Sequence, residues 1–378
     1  MLIAFFLISI CGSAQRDTCT LRISLLTCSP GEELYSIFGH SALRVKDTST
    51  NTDIIFNYGT FDFSDPDFYP KFLQGRLQYF LSVEGFSDFT YGYELEKRGI
   101  VEQVLHLSCI NNRRLFDALI RNTEDANKFY AYDFFFDNCS TRLRDMVAKN
   151  SGDSVQFWNI YSGELPSYRQ EIHKYLDRSG QYWSKLGMDL LLGARVDKKV
   201  TNHSSMFLPD NLYKGFDSAT VQGHPLIGSR AVVLPEQTVR QQPFLITPLL
   251  VFSTFLIAGI ILGFTRRKKS QKPVVIFDFV LFFLTGCAGW VMLLMWVATE
   301  HKACGNNMNL FWAWPTHLIM CFFINRSSQI GKYYFGLAGI TAIIVLAGWH
   351  WWPQDLNNNM IPLVILLAYR SLRNYLKH

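Results

Sequence analysis

The chain has 378 residues, and its 36 Lys and Arg against 31 Asp and Glu leave a formal net charge of only +5. A charge so small and so scattered gives no electrostatic footprint for nucleic acid. Apolar residues make up 49% of the chain, yet mean hydropathy is only +0.07, because the apolar material is concentrated at the C-terminal end. The composition describes a soluble half joined to a membrane half.

In chain order, "MLIAFFLISICGSA" is an apolar core running into small residues, the pattern of a secretory signal over residues 1–14 with cleavage after Ala14. Ile10 ahead of Cys11 argues against a lipoprotein signal; an uncleaved anchor is the alternative. Residues 18–110 read mainly as strands, in "CTLRISLLTC", "SALRVKD", "DIIFNYGTFDF" and "IVEQVLHLSC". "GRLQYFLSVEGFSDFTYGYELEKRG" reads as a strand or turn followed by a helix. "NNRRLFDALIRNTED" has helical spacing, with Leu115, Phe116, Leu119 and Ile120 on one face. Asp137 or Asn138 is expected to cap a helix carrying Leu143, Met146 and Val147. Residues 15–220 are thus expected to form an α+β outer domain, and residues 221–243 a linker around the polar "PEQTVRQQP".

From Phe244 the pattern changes to apolar runs near 244–264, 275–298, 310–324, 334–349 and 359–372, read as an all-α bundle of five transmembrane helices over 244–378. Ten Lys and Arg, including Arg266, Arg267, Lys268 and Lys269, fall in the first and third connections and the tail; the opposite connections hold only Lys302. The positive-inside rule makes the basic side cytoplasmic and puts residues 15–242 outside. In a Gram-negative cell this is a multi-pass inner-membrane protein with a periplasmic domain. Trp349, Trp351 and Trp352 sit where a span meets the outer water.

Two residues in the outer domain carry chemistry. His40, in "FGHSALRV", heads an alternating strand, and Cys139, in "YDFFFDNCSTRLRDMV", opens a helix. A thiol at a helix start is favoured as thiolate, and the free amides there can hold an oxyanion. A neighbouring histidine supplies the base, and a third polar group orients it. For that third group the next strand offers Asn57, Tyr58 and Asp62, with Asp62 preferred. Tyr35 and Tyr132 are candidate hydroxyl helpers to the oxyanion. The competing reading is a buried histidine and a core cysteine. Phe134, Phe135 and Phe136 read first as a strand packed in the core and second as apolar shelter for a reactive intermediate. Arg98 and Arg142 are candidates for a phosphate. Glu300, His301, Asn309 and His350, on the outer loops, and His317, inside a span, are candidate contacts to a headgroup or amine.

Outside the signal, Cys19, Cys28, Cys109, Cys139 and Cys304 face an oxidising compartment, and an odd number leaves at least one thiol out of intramolecular pairs. Cys28 and Cys109 lie near strand ends, as structural cysteines would. No Cys-x-x-Cys or His-x-x-x-His spacing suggests a metal, and no cofactor is expected.

"LLTCSPGEELYSIFGHSALRV", "FNYGTFDF", "YAYDFFFDNCSTRLRD" and "LLLGARVDKKVTNHSSMFLPDNL" occur in that order, and together they resemble the Lnb family of Gram-negative envelope proteins. The order of His on a strand before Cys at a helix start also resembles permuted papain-like (NlpC/P60-related) enzymes. The resemblance implies a lipoprotein N-acyltransferase with Cys139 as nucleophile and His40 as base. A fatty acyl chain would move from a phospholipid donor, through a Cys thioester, to the α-amine of a diacylglyceryl-cysteine lipoprotein at the bilayer surface. Asn138, Tyr35, Tyr132, His301 and His317 are the residues expected around that substrate. Two rival readings remain: a membrane-anchored cell-wall amidase or cysteine peptidase using the same pair, and a non-catalytic envelope scaffold in which Cys139 is inert.

Overall fold

The computed structural model describes residues 19–237, 246–264, 271–324, 326 and 328–377. The expected signal over residues 1–14, the basic run Arg266–Lys269 and the linker centre at 238–243 lie outside the described residues.

The outer domain is built on a seven-stranded antiparallel sheet. Its strands are β1 (Leu21–Cys28), β2 (His40–Asp47), β3 (Thr52–Thr60), β4 (Gln78–Gly85), β5 (Ile100–Leu105), β6 (Phe129–Ala131) and β7 (Ile227–Leu234). They lie in the order β7-β5-β1-β2-β3-β4-β6. β1 is an interior strand between β5 and β2, and the run Ile23 to Cys28 is buried throughout, so it shows little alternation. One face packs Ile23, Leu25, Leu43 and Phe56 against Leu115, Leu119, Leu143 and Phe216. The other packs Leu26, Ala42, Ile55 and Ile100 against Phe89 of the helix Phe86–Leu95. Each Leu, Ile or Phe among them contributes about 1.5–3 kcal/mol by leaving water. β7 falls within the stretch expected to be linker. An outer edge strand is held by its ladder to β5 and buries few side chains, so its sequence carries little apolar signal. Cys19 and Cys109 form a disulfide that ties the start of β1 to the helix Cys109–Thr123.

The C-terminal half is helical. Among the described residues, Lys272–Val297 and Gln329–Ala347 are long and apolar enough to cross a membrane, and Pro248–Phe264 is a shorter apolar helix. Ile361–Lys377 is amphipathic and carries Arg370, which is fully buried against Asp278 at 2.8 Å, with Asn374 on the same carboxylate. The run expected as a continuous span over 310–324 is not one. It is broken into the 3-10 turns Met308–Phe311 and Cys321–Phe323 around the short helix His317–Met320. Pro315 lacks an amide and disfavours helix at Trp314. The broken segment lies directly on Gly286 and Gly289, where any Cβ would strike its backbone.

The two halves are bolted together. Gly193 donates its amide to Ala303 O at 2.9 Å and Ala194 to Asn306 O at 3.1 Å. A side chain at Gly193 would collide with Gly305 O, so the "LLLGARVD" turn reads as a docking surface. Beneath it, fully buried Arg169 reaches Asp189 at 2.6 Å and Asp197 at 2.8 Å. Asn357 donates to the other oxygen of Asp189 at 2.8 Å, and Asn309 to its carbonyl at 3.1 Å.

Candidate active site

Cys139 is the first residue of the helix Cys139–Asn150, and Asn138 is its cap. Asn138 Oδ1 accepts the Thr141 amide at 2.9 Å, and the Thr141 hydroxyl accepts the Asn138 amide at 2.8 Å. Its Nδ2 donates to Phe134 O at 2.7 Å and Phe207 O at 2.8 Å. Asn138 thus holds the helix start, and it also lines the cleft around Cys139. The amides of Cys139 and Ser140 lie in the first turn, where an N–H has no carbonyl one turn behind to bond.

His40 opens β2, set by Gly39 at φ +77, where a Cβ would meet Cys28 O at 2.8 Å. Its Nε2 donates to Asn57 Oδ1 at 2.6 Å. That leaves Nδ1 for Cys139, with which the ring is hydrogen-bonded. Asn57 is steadied in turn by donating to Glu84 Oε1 at 3.4 Å. Burial pushes the Cys139 thiol up. The His40 charge and hydrogen bond, the Ser41 backbone N–H and Ser140 outweigh it and bring the pKa below its usual value. Burial likewise disfavours charge on His40, but the Cys139 thiolate and the bonds to Cys139 and Asn57 win, and its pKa is raised. Both directions favour a thiolate–imidazolium pair.

The third residue is a correction. Asp62 is exposed and spends its carboxylate on the Ser64 amide at 2.8 Å and hydroxyl at 2.7 Å, closing a turn. Tyr58 is buried in the sheet core with an unpartnered hydroxyl. Asn57 alone of the three reaches His40. Asn57→Ala should lower turnover about 10²-fold by freeing the imidazole from its working geometry, while Asp62→Ala should leave it within a factor of about two; steady-state rates check both. The pair also sets a pH dependence. Alkylation of Cys139 should persist to lower pH than that of an ordinary thiol, because a depressed pKa keeps the thiolate as pH falls. In His40→Ala the opposing influence is gone and burial remains, so the alkylation profile should move to higher pH.

Gly59 was not singled out by its sequence. The β3–β4 ladder slips between Tyr58 and Thr60. Gly59 sits there at φ +94, its missing Cβ 3.6 Å from both Cys139 Cβ and Tyr132 Cε2. The bulge sets Gly59 in the cleft wall against Cys139 and Tyr132, in a backbone conformation that favours glycine.

The thiol lies in a cleft of about 860 Å³ between the sheet end and the outer loop Glu300–Cys304 of the helical half. Tyr132 lines it, stacked on Tyr79 at 4.3 Å, and burial holds its phenol protonated, able to donate. Tyr35 stands at the rim, 70% exposed. His301 lines the cleft and bonds Phe72 O at 3.1 Å. His317 is a correction: it is buried in the helical half, bonded to the Tyr334 hydroxyl at 2.7 Å, and lines no part of the cleft. Asn309 serves the interface to Asp189, and Glu300 pairs with Arg76 at 2.8 Å. His350 is exposed away from the cleft, and Arg142 is paired with Asp137 at 2.7 Å. Phe134–Phe136 form a tight turn rather than a strand, because Asp133 Oδ1 accepts the Phe135 and Phe136 amides; Phe134 and Phe135 line the cleft. Phe63 and Phe72 line the cleft and are 68% and 48% exposed, and Tyr69 and Leu73, on the same helix Phe68–Gln74 as Phe72, are 73% and 60% exposed. This apolar lip is joined to the end of Lys272–Val297 through the Glu300 amide, which donates to Gln74 O at 2.9 Å.

Two family models match this chain: the Lnb N-terminal periplasmic domain over residues 13–173, and the Lnb transmembrane domain over residues 240–378. The chain belongs to the Lnb family. It is therefore a membrane protein with a periplasmic domain, and both His40 and Cys139 fall within the stretch matched to the Lnb periplasmic domain. No curated protein and no solved structure matches it.

Proposed function

We propose that this Lnb protein is a lipoprotein N-acyltransferase of the inner membrane, working by a thioester on Cys139. The observation that carries the reading is a polarised Cys139–His40–Asn57 array in a cleft roofed by the membrane half and edged by an exposed apolar lip. An enzyme acting on a soluble wall peptide has no use for such a lip; a donor drawn from a bilayer does.

In the first half-reaction the Cys139 thiolate attacks an acyl ester carbonyl of a phospholipid, and the tetrahedral oxyanion is held by the first-turn amides and the Tyr132 hydroxyl. The carbon–oxygen bond breaks, the His40 imidazolium gives its proton to the leaving glycerol oxygen, and lysophospholipid departs. In the second, the α-amine of a diacylglyceryl-cysteine attacks the thioester. His40 takes the amine proton, the carbon–sulfur bond breaks, and amide and thiolate result. The order of a strand-borne His, an Asn one strand over and a helix-start Cys fits a permuted papain-like thiol enzyme. Phe61, Phe134 and Phe135 line the space where a thioester must be kept from water.

Mass spectrometry of lipoprotein N-termini tests the reading. Depletion should leave diacylated products, restored to triacylated by the wild-type gene and not by Cys139→Ser. Triacylation unchanged on depletion would refute it.

A further inference from the structure

Of the six buried polar side-chain atoms without a partner among the described residues, only Arg98 Nη2 belongs to a residue that lines the cleft. Leaving a charged N–H unpaired costs more than leaving a neutral one, so its survival in the wall of the cleft needs a reason.

The local sequence aims Arg98 inward. The helix Phe86–Leu95 ends with Lys97 at φ 58, its amide donating to Glu94 O at 3.0 Å and that of Arg98 to Tyr93 O at 2.9 Å. This Schellman ending folds the second residue past the cap back onto the last turn. The Arg98 guanidinium accordingly lies 4.5 Å from the Tyr93 ring centre, only 7% of the residue exposed. Nε donates to Ser29 O and Nη1 to Glu96 Oε2, each at 2.9 Å. Across the sheet Ile100, Cys28 and His40 stand in one row, so Arg98, two residues before Ile100, is delivered to the same sheet end as His40. Its side chain is fixed on two sides, with one nitrogen unspent.

We propose that Arg98 is the anion anchor of the cleft, taking the phosphodiester of a glycerophospholipid donor and so setting its ester carbonyl over Cys139. This rests on the acyl-transfer reading. A guanidinium is suited to holding a phosphodiester because it stays charged at every working pH and its planar N–H edge matches two phosphate oxygens. Glu96, half exposed, holds Nη1 in place without burying a second charge against the ligand.

The test uses full-length protein in nanodiscs. In transfer assays, Arg98→Met should raise KM for dioleoylphosphatidylethanolamine by about tenfold or more and leave the rate with p-nitrophenyl palmitate, which carries no phosphate, within a factor of about two; Arg98→Lys should fall between. In a Cys139→Ala background, fluorescent phosphatidylethanolamine should bind more tightly than the matching diacylglycerol, and Arg98→Met should erase the preference. Equal loss with both donors, or an unchanged preference, would make Arg98 a structural brace and overturn the proposal. Displacement of the lipid by equimolar inorganic phosphate would reassign the subsite to the free anion and overturn it too. If the wild type transfers from neither donor, the acyltransferase reading fails, while the binding arm still decides Arg98.

Discussion

Cys139→Ala should abolish acyl transfer, with a loss of at least about 10⁴-fold, the scale on which removing a nucleophile from a coupled catalytic set is felt. Folding should survive, because helix capping at this position belongs to Asn138 and Thr141 rather than to the sulfur. Cys139→Ser is nearly as severe: an ordinary hydroxyl is far less acidic than the thiol that His40 and the Ser41 amide have polarised. The control is Cys28, which pairs directly opposite His40 across the sheet. Burial pushes the Cys28 thiol up to about 12, so it stays protonated and unreactive. Cys28→Ala should therefore keep transfer within a few fold and lose some stability. Transfer rates beside thermal melts separate the two cysteines: a Cys28→Ala that loses transfer while melting normally would contradict the assignment.

The second large effect is on assembly. Arg169→Met should destabilise the protein by about 3–5 kcal/mol, the cost of breaking a buried ion pair from one side. Asp189 and Asp197 would be left facing each other without the guanidinium that bonds both, and Asp189 is already committed to His173 at 2.8 Å and to Asn357 at 2.8 Å. Because Asp189 also carries the contact to the helical half, the outer loops should loosen together with the cleft roof. Melting of purified protein in detergent, with proteolysis at the Gly193–Gly305 contact, measures this. A melt unchanged from wild type would show that the network does not bear on docking.

What the sequence disclosed depended on how local the physics was. Cys139 at a helix start and His40 at a strand start were legible because caps and alternation are written in adjacent residues. Asn57 over Asp62 was not: both lie on the strand or turn after His40, and only the pairing of β2 with β3 brings Asn57 to the ring. Gly59 carries a bulge that depends on β4, about twenty residues away in sequence, so its role had no local sign. The helical half was visible as apolar runs, but hydropathy is blind to how Gly286 and Gly289 admit a broken segment, and so 310–324 read as one span. His317 drew notice as a polar group at membrane depth, and Tyr334 is its partner there instead of a substrate. The "LLLGARVD" block signalled something specific, but only the structure ties it to the interface.

The central claim is a covalent acyl-enzyme on Cys139, and trapping it is the most direct test. Full-length protein incubated with acyl-labelled phosphatidylethanolamine and no lipoprotein acceptor should retain label that hydroxylamine removes. Peptide mass spectrometry should place one fatty acyl group on the peptide containing Asn138–Cys139–Ser140, and addition of a diacylglyceryl-cysteine peptide should discharge it. Label retained in Cys139→Ala, or mapped to another residue in the wild type, would contradict the account.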